Sequence, residues 1–175
     1  MCNQCIINPV YEFTNKRTLC KTCFVRWFEK KFFYTLRKFS LVTKSDKIKT
    51  SNSKDIRNVV LKELIKIYNS KVPKKSEKTT LKIANFQTTD SIAYSITKDL
   101  FKNKLSNKYL PKLKNKINPL YLFLDKEILL YANLKKLKFS NKKQKNTKLP
   151  QLVNKLEEKH PEIKHAIIQS YLKLY

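Results

Sequence analysis

The chain has 175 residues, of which 41% are hydrophobic and 11% aromatic. This suits one ordinary domain with a hydrophobic core and excludes a wholly disordered chain. The chain contains no glycine, which excludes the Walker A, Rossmann and nucleophile-elbow motifs. Its 39 Lys and Arg residues against 13 Asp and Glu residues give a net charge of +26, which attracts polyphosphates through counterion release. We therefore expect a nucleic-acid partner, with a membrane surface or an acidic protein as alternatives.

Two features of the sequence bear on localisation. No apolar run approaches the roughly 20 residues that a membrane-spanning helix needs; residues 120–124 form one of the longest runs. Cys2 and Cys5 stand where a signal peptide would carry its basic segment. We therefore expect a cytoplasmic protein that does not insert into a membrane.

All four cysteines lie near the N-terminus, in two C-x2-C pairs: Cys2, Cys5, Cys20 and Cys23. This spacing is typical of zinc sites, because each pair can direct two thiolates toward one tetrahedral ion. We expect a zinc ribbon over residues 1–25 with a structural Zn²⁺, since four protein ligands leave no open position for catalysis. Two disulfides are the alternative, which the lack of a secretory signal disfavours.

The segments that follow the first cysteine pair predict a hairpin and a long helix. Residues 11–13 and 17–19 suit two short strands joined by a turn at 14–16. A helix is predicted over about 24–39, because large apolar residues recur every four positions; these are Phe24, Phe28, Phe32 and Leu36. We expect this stripe to face the core.

The rest of the chain predicts an α/β body over 26–139 and a helical segment over 140–175. The predicted elements are a strand at 46–50, a helix from Ser53 to 68, a strand at 81–83, and helices at 90–102, 125–137, 150–159 and 161–174. A polar, Lys-rich loop is predicted over 140–148.

Local details of these elements also follow from residue preferences. Ser53, Asp125, and either Thr88 or Thr89 are expected to cap the helices that begin there. Leu100 is expected to be buried with Ile92 and Ile96. Because glycine is absent, Asn is expected to supply left-handed turns, at positions such as Asn52, Asn85, Asn103 and Asn141. His160 and His165 are five residues apart, a poor fit to one helix face, and are read as structural or surface residues.

Two groups of segments resemble a known family. The first group is 20–24, 28–31 and 35–38, and the second is 118–120, 125–132, 156–164 and 170–171. Together they cover roughly half of the chain. In these segments the sequence resembles the archaeal and eukaryotic cytosolic tRNA 2-thiolation enzymes, which are PP-loop ATPases of the thiouridine synthetase class.

The resemblance implies a reduced PP-loop domain, of the adenine nucleotide α-hydrolase type, and positions for ATP. The family's phosphate loop falls on residues 51–56, where Ser51, Lys54 and Asp55 match its pattern. Both glycines of that loop are replaced. A second family motif retains only Asp90. The resemblance therefore implies that these four residues are the ATP-binding candidates and that ATP with Mg²⁺ binds weakly.

The family's central cysteines, which hold an iron–sulfur cluster or the transferred sulfur, have no counterpart because no cysteine follows Cys23. We accordingly expect no iron–sulfur cluster and name no catalytic residue. The resemblance implies a tRNA-binding relative of the wobble-uridine 2-thiolation enzymes whose ATP and sulfur-transfer site is defective. An active 2-thiouridine synthetase that works with a sulfur-donor partner is one alternative, and a general RNA-binding or ribosome-associated zinc protein is the other.

The basic residues expected to contact tRNA lie in three regions: the cysteine-containing ribbon of residues 1–25 (the finger), the first helix, and the Lys-rich second half of the chain, where 101–150 holds 14 Lys. They are Lys16, Arg17, Lys21, Arg26, Lys30, Arg37, Lys112, Lys114, Lys135 and Lys136. The aromatic residues of the first helix are expected to be core, with base stacking by Trp27 as the alternative.

Overall fold

A hairpin and a long helix form the N-terminal part of the protein. In the computed structural model, which describes residues 1–43, 46–71, 80–140 and 148–175, β1 (Tyr11–Glu12) pairs antiparallel with β2 (Thr18–Leu19). Helix α1 (Lys21–Lys38) follows directly and buries the apolar stripe that the four-residue spacing predicted. Both predicted elements are confirmed.

A four-stranded sheet forms the centre of the body, in the order β3-β4-β6-β5. Its strands are β3 (Lys47–Lys49), β4 (Leu81–Ala84), β5 (Lys112–Leu113) and β6 (Lys116–Ile117). β3, β4 and β6 run parallel, and β5 is an antiparallel edge strand. Helix α2 (Ile56–Lys71) connects β3 to β4, and α3 (Thr89–Leu100) follows β4.

Three more helices complete the fold: α4 (Asp125–Leu134), α5 (Lys148–Lys159) and α6 (Ile163–Leu174). One buried cluster joins the finger, α1, α2 and α4 to the sheet, and a second joins α3 to α6. The expected helix-rich α/β fold is therefore confirmed. Most of the polar loop predicted over 140–148 lies outside the described residues.

Two of the expected helix caps are one or two residues away from their predicted positions. Helix α2 is capped by Asp55, whose Oδ1 accepts the Arg57 N–H at 2.9 Å, while the Ser53 hydroxyl accepts the Asp55 N–H at 3.1 Å. Ser53 therefore supports the cap without being the cap. Helix α4 is capped at Leu124, so the prediction for Asp125 was also one residue off. Thr88 caps α3 as predicted.

The expectation that Leu100 is buried was wrong. Leu100 is 58% exposed and is the last residue of α3. Its partners in the periodic stripe, Ile92 and Ile96, are buried as predicted.

Left-handed backbone occurs mostly at residues other than Asn. Asn103 has φ 51°, as expected, but the other four positions with positive φ in the described part of the chain are Lys16, Ser40, Lys114 and Lys136. Asn52 and Asn85 are not among them, and Asn141 lies outside the described residues. Side chains with a Cβ adopt this region at a modest cost.

Two apolar side chains of β4, which lies inside the sheet, are exposed on one of its faces. Leu81 and Ile83 are 49% and 47% exposed, whereas parallel sheets are ordinarily covered on both faces.

Among the described residues, no helix has both the length and the apolar character needed to cross a membrane.

Candidate metal centre and nucleic-acid interface

The four cysteines converge on one point at the start of α1. Their Sγ atoms all lie within 4.8 Å of one another, with Cys5 at 3.4 Å from Cys20 and at 3.9 Å from Cys23. Cys20 is the N-cap of α1, so the helix start fixes the second pair. The loop before β1 brings Cys2 and Cys5 onto it. All four thiols are free of disulfides.

The thiols of this cluster differ in acidity. Burial raises the pKa of the Cys2 thiol, but hydrogen bonds, from the Gln4 N–H first, outweigh burial and lower the pKa to about 6. Burial and the neighbouring thiols raise the pKa of Cys23 to about 12. Four thiolates so close together require a compensating cation. A set of four thiolates suits either a single tetrahedral ion or an iron–sulfur cluster.

Aromatic rings anchor the finger to α1. The Phe13 ring lies 4.9 Å from that of Tyr11 and 4.8 Å from that of Trp27, both edge-to-face. The Tyr11 hydroxyl donates to Glu127 Oε1 at 3.3 Å. The cysteine cluster is thus held against the body by packing as well as by its own hairpin.

The candidate ATP residues lie where two parallel strands end. Ser51, Lys54 and Asp55 follow β3, and Asp90 follows β4, so both segments lie at the carboxyl edge of the sheet, where α/β proteins bind ligands. The buried side chain of Asn58 holds the loop of residues 51–55 in place. Its Nδ2 donates to the Ser51 carbonyl at 2.9 Å and to the Ser53 carbonyl at 2.7 Å.

Asp90 is part of an ion-pair network at this edge. Its Oδ2 accepts the Asp125 N–H at 2.7 Å, and its Oδ1 pairs with Lys164 Nζ, which also binds Glu157 at 2.6 Å. Burial lowers the pKa of Lys164, but the two carboxylates outweigh burial and raise it. The Arg57 guanidinium donates to both carboxylate oxygens of Asp125, at 2.9 and 2.6 Å. The Asp90 carboxylate is therefore already engaged by protein groups on both of its oxygens.

The predicted RNA-binding residues are spread over several surfaces. All are exposed except Arg17, whose guanidinium lies 4.3 Å from the Phe13 ring centroid. Lys16 pairs with Glu12, and Lys135 with Glu29. Three of the ten line one groove, and they are Lys30, Arg37 and Lys112.

This groove, of about 1,120 Å³, runs along α1. Most of its lining residues were not predicted from the sequence. Four aromatic residues contribute to it, namely Trp27, Phe33, Tyr34 and Tyr68. The helical spacing of Trp27, Lys30, Tyr34 and Arg37 places these four side chains on one face of α1. That signal could have been found in the sequence.

Comparison with known proteins identifies the fold. No protein-family model and no curated protein matches the chain. Among solved structures, the U34-tRNA thiolase NcsA from Methanococcus maripaludis, determined with its [4Fe-4S] cluster, matches with a TM-score of 0.81 at 16% identity. The match covers 99% of this chain and 86% of the thiolase. The chain shares the fold of this thiolase. The PP-loop-like fold expected from the resemblance is thereby confirmed.

The two groups of segments that carried the resemblance are neighbours in the structure. The Phe28 ring of α1 stacks on the Tyr131 ring of α4 with centroids 4.2 Å apart. Lys31 of α1 pairs with Glu127 of α4 at 2.7 Å. The segments that carry the resemblance therefore pack against each other in the structure.

The expectation that no iron–sulfur cluster binds was wrong. The thiolase with the same fold carries a [4Fe-4S] cluster, and this chain has a cluster of four cysteine thiols. The expectation rested only on the absence of cysteines after Cys23, whereas four cysteine thiolates of any position are a ligand set that iron–sulfur clusters use.

Proposed function

We propose that the protein binds tRNA and acts in the 2-thiolation of the wobble uridine. The observation that carries this proposal is the fold shared with a U34-tRNA thiolase over 99% of the chain. The net charge of +26 supports it, because a tRNA backbone is a dense array of phosphates.

The nucleotide site of this protein is a reduced one. Ser51, Lys54 and Asp55 would face the phosphates, and Asp90 would lie beside them. The loop has no glycine, and residues 51–55 have no positive φ, so its backbone N–H groups are less free to surround a phosphate. Lys164 and the Asp125 N–H occupy the Asp90 carboxylate. Thiolation would then need a partner that supplies sulfur and part of the nucleotide site.

The four cysteines, in this proposal, ligate one thiolate-bound metal centre. An iron–sulfur cluster is the form to test first, because the thiolase of the same fold carries one. When bound, such a centre neutralises the thiolates and holds the finger folded. The chain's own contribution is the convergence of Cys2, Cys5, Cys20 and Cys23 to within 4.8 Å.

Salt-dependent retention of tRNA tests the proposed function. If six to ten phosphates are contacted, affinity should fall by roughly 10³- to 10⁵-fold between 50 and 200 mM salt. Filter binding would measure it, with an unrelated RNA of equal length as the control. Equal retention of both RNAs would favour the general RNA-binding alternative, and a flat salt response would contradict phosphate contact.

An active synthetase is the second candidate, and the position of Lys54 at the carboxyl edge of the sheet favours it. Calorimetry with ATP separates the two candidates. Micromolar ATP binding that Lys54→Ala abolishes, together with tRNA-dependent ATP turnover, would place the enzyme first.

A further inference from the structure

The groove along α1 combines aromatic surface with positively charged side chains. Tyr34 is 48% exposed, and Trp27 lies seven residues earlier on the same face of the helix. Lys30 and Arg37 flank Tyr34 on that face, and Lys112 approaches from the sheet edge. None of the described residues that line the groove is acidic.

The cations of the groove differ in whether a carboxylate of the protein neutralises their charge. Lys31 binds both oxygens of Glu127, at 2.9 and 2.7 Å, so its charge is neutralised within the protein. Lys112 donates to the neutral Ser40 carbonyl at 2.6 Å and keeps its net charge. Lys30 and Arg37 are exposed at the rim. Within the part of the chain that the structure describes, these three cations have no carboxylate partner, and they line the same groove as the exposed ring of Tyr34.

This pattern matches the chemistry of an unpaired nucleic-acid strand. Aromatic side chains stack on exposed bases of any sequence, and cations follow the backbone. The bases of a duplex are stacked on one another, so a duplex would contact only the cations of the groove. An acidic peptide would likewise leave the aromatic rings unused.

We propose that the groove along α1 binds an unpaired RNA segment, with a base stacked on Tyr34 and backbone phosphates at Lys30, Arg37 and Lys112. The identification of the strand as RNA rests on the proposed function. It adds to that function a defined contact between the protein and the single-stranded part of its substrate.

Trp27 makes the test direct, because it lines the groove and is the single tryptophan of the chain. Titration of the full-length protein with hexauridylate should quench Trp27 emission to saturation. Tyr34→Ala should weaken the affinity by roughly 5- to 100-fold, the loss of about one stacked base, while Tyr34→Phe should retain it. The matched control is Phe101→Ala, since Phe101 is a 70% exposed ring outside the groove.

The salt dependence of the same titration tests the phosphate contacts. Arg37→Ala should reduce the slope of log affinity against log salt by about 0.7, the value for one phosphate of a single strand. Lys98→Ala, which removes an exposed cation from α3, should leave the slope unchanged. Thermal unfolding of each variant would verify that it folds.

Several outcomes would overturn the proposal: no quenching by hexauridylate, equal affinities for Tyr34→Ala and Phe101→Ala, or equal quenching by an RNA duplex or by polyglutamate. The test of the groove can fail while the test of the proposed function succeeds, and the reverse. Retention of tRNA without a response of Trp27 to hexauridylate would refute the groove alone. Binding of hexauridylate in the groove without preference for tRNA would refute the proposed function alone.

Discussion

Glu127 joins the finger, α1 and α4 through one buried carboxylate. Its side chain is 3% exposed and pairs with Lys31 at 2.7 Å, accepts the Leu124 N–H at 3.0 Å and accepts the Tyr11 hydroxyl at 3.3 Å. Burial lowers the pKa of Lys31, and Glu127 opposes that shift. Removal of the carboxylate would leave a buried ammonium without its counter-charge, which is a costly state.

We therefore expect Glu127→Ala to lower the free energy of unfolding by about 3–5 kcal/mol, measured by urea denaturation. Glu12→Ala is the matched control, because Glu12 and Lys16 form an exposed pair worth roughly 1 kcal/mol or less. Similar losses for the two variants would show that Glu127 does not hold these three parts together.

Burial differs sharply between two isoleucines on the neighbouring strands β4 and β6. Ile117 of β6 is 1% exposed, and Ile83 of β4 is 47% exposed. Ile117→Ala should lower the free energy of unfolding by about 2–5 kcal/mol, because it leaves a cavity in the core. Ile83→Ala should cost much less, about 1 kcal/mol or below. A large loss at Ile83, measured by the same denaturation, would mean that this face of the sheet is covered in solution.

The elements that the sequence predicted correctly are those with a strong local period. Helix α1 repeats a large apolar residue every four positions, and the two C-x2-C pairs define the cysteine cluster by spacing alone. Strands β5 and β6 were missed, because each has two residues and β6 is placed in the sheet by its pairing with the distant strand β4. The cap at Asp55 was missed because Ser53, an equally good capping residue, lies two positions earlier.

The groove along α1 could likewise be predicted only in part from local sequence patterns. Only its α1 residues share a helical period, whereas Val42, Tyr68 and Lys112 reach it from three other parts of the chain. No local pattern connects those three residues. Their meeting depends on how α2 and the edge of the sheet pack around α1, which is a property of the tertiary fold.

At the scale of the whole molecule, the cysteine cluster is built into the same packing as the body. Cys20 and Cys23 belong to the start of α1, and Tyr11 and Phe13 pack their rings against Trp27 of the same helix. Loss of metal would release the loop that carries Cys2 and Cys5, since metal binding supplies much of the folding free energy of so small a finger. That release would loosen the aromatic packing around Trp27.

We accordingly expect Cys5→Ser to lose the metal centre, because Cys5 lies within 3.9 Å of both thiols of the second pair. Iron, acid-labile sulfide and zinc per chain would be measured after anaerobic purification, and Trp27 emission should shift toward that of an exposed indole. Thr22→Ala, which alters an exposed neighbour of Cys23, should keep both the metal and the emission. A Cys5→Ser protein with its full metal content would contradict the four-cysteine site. A metal-free protein with unchanged emission would instead show that the ring packing alone holds the finger on α1.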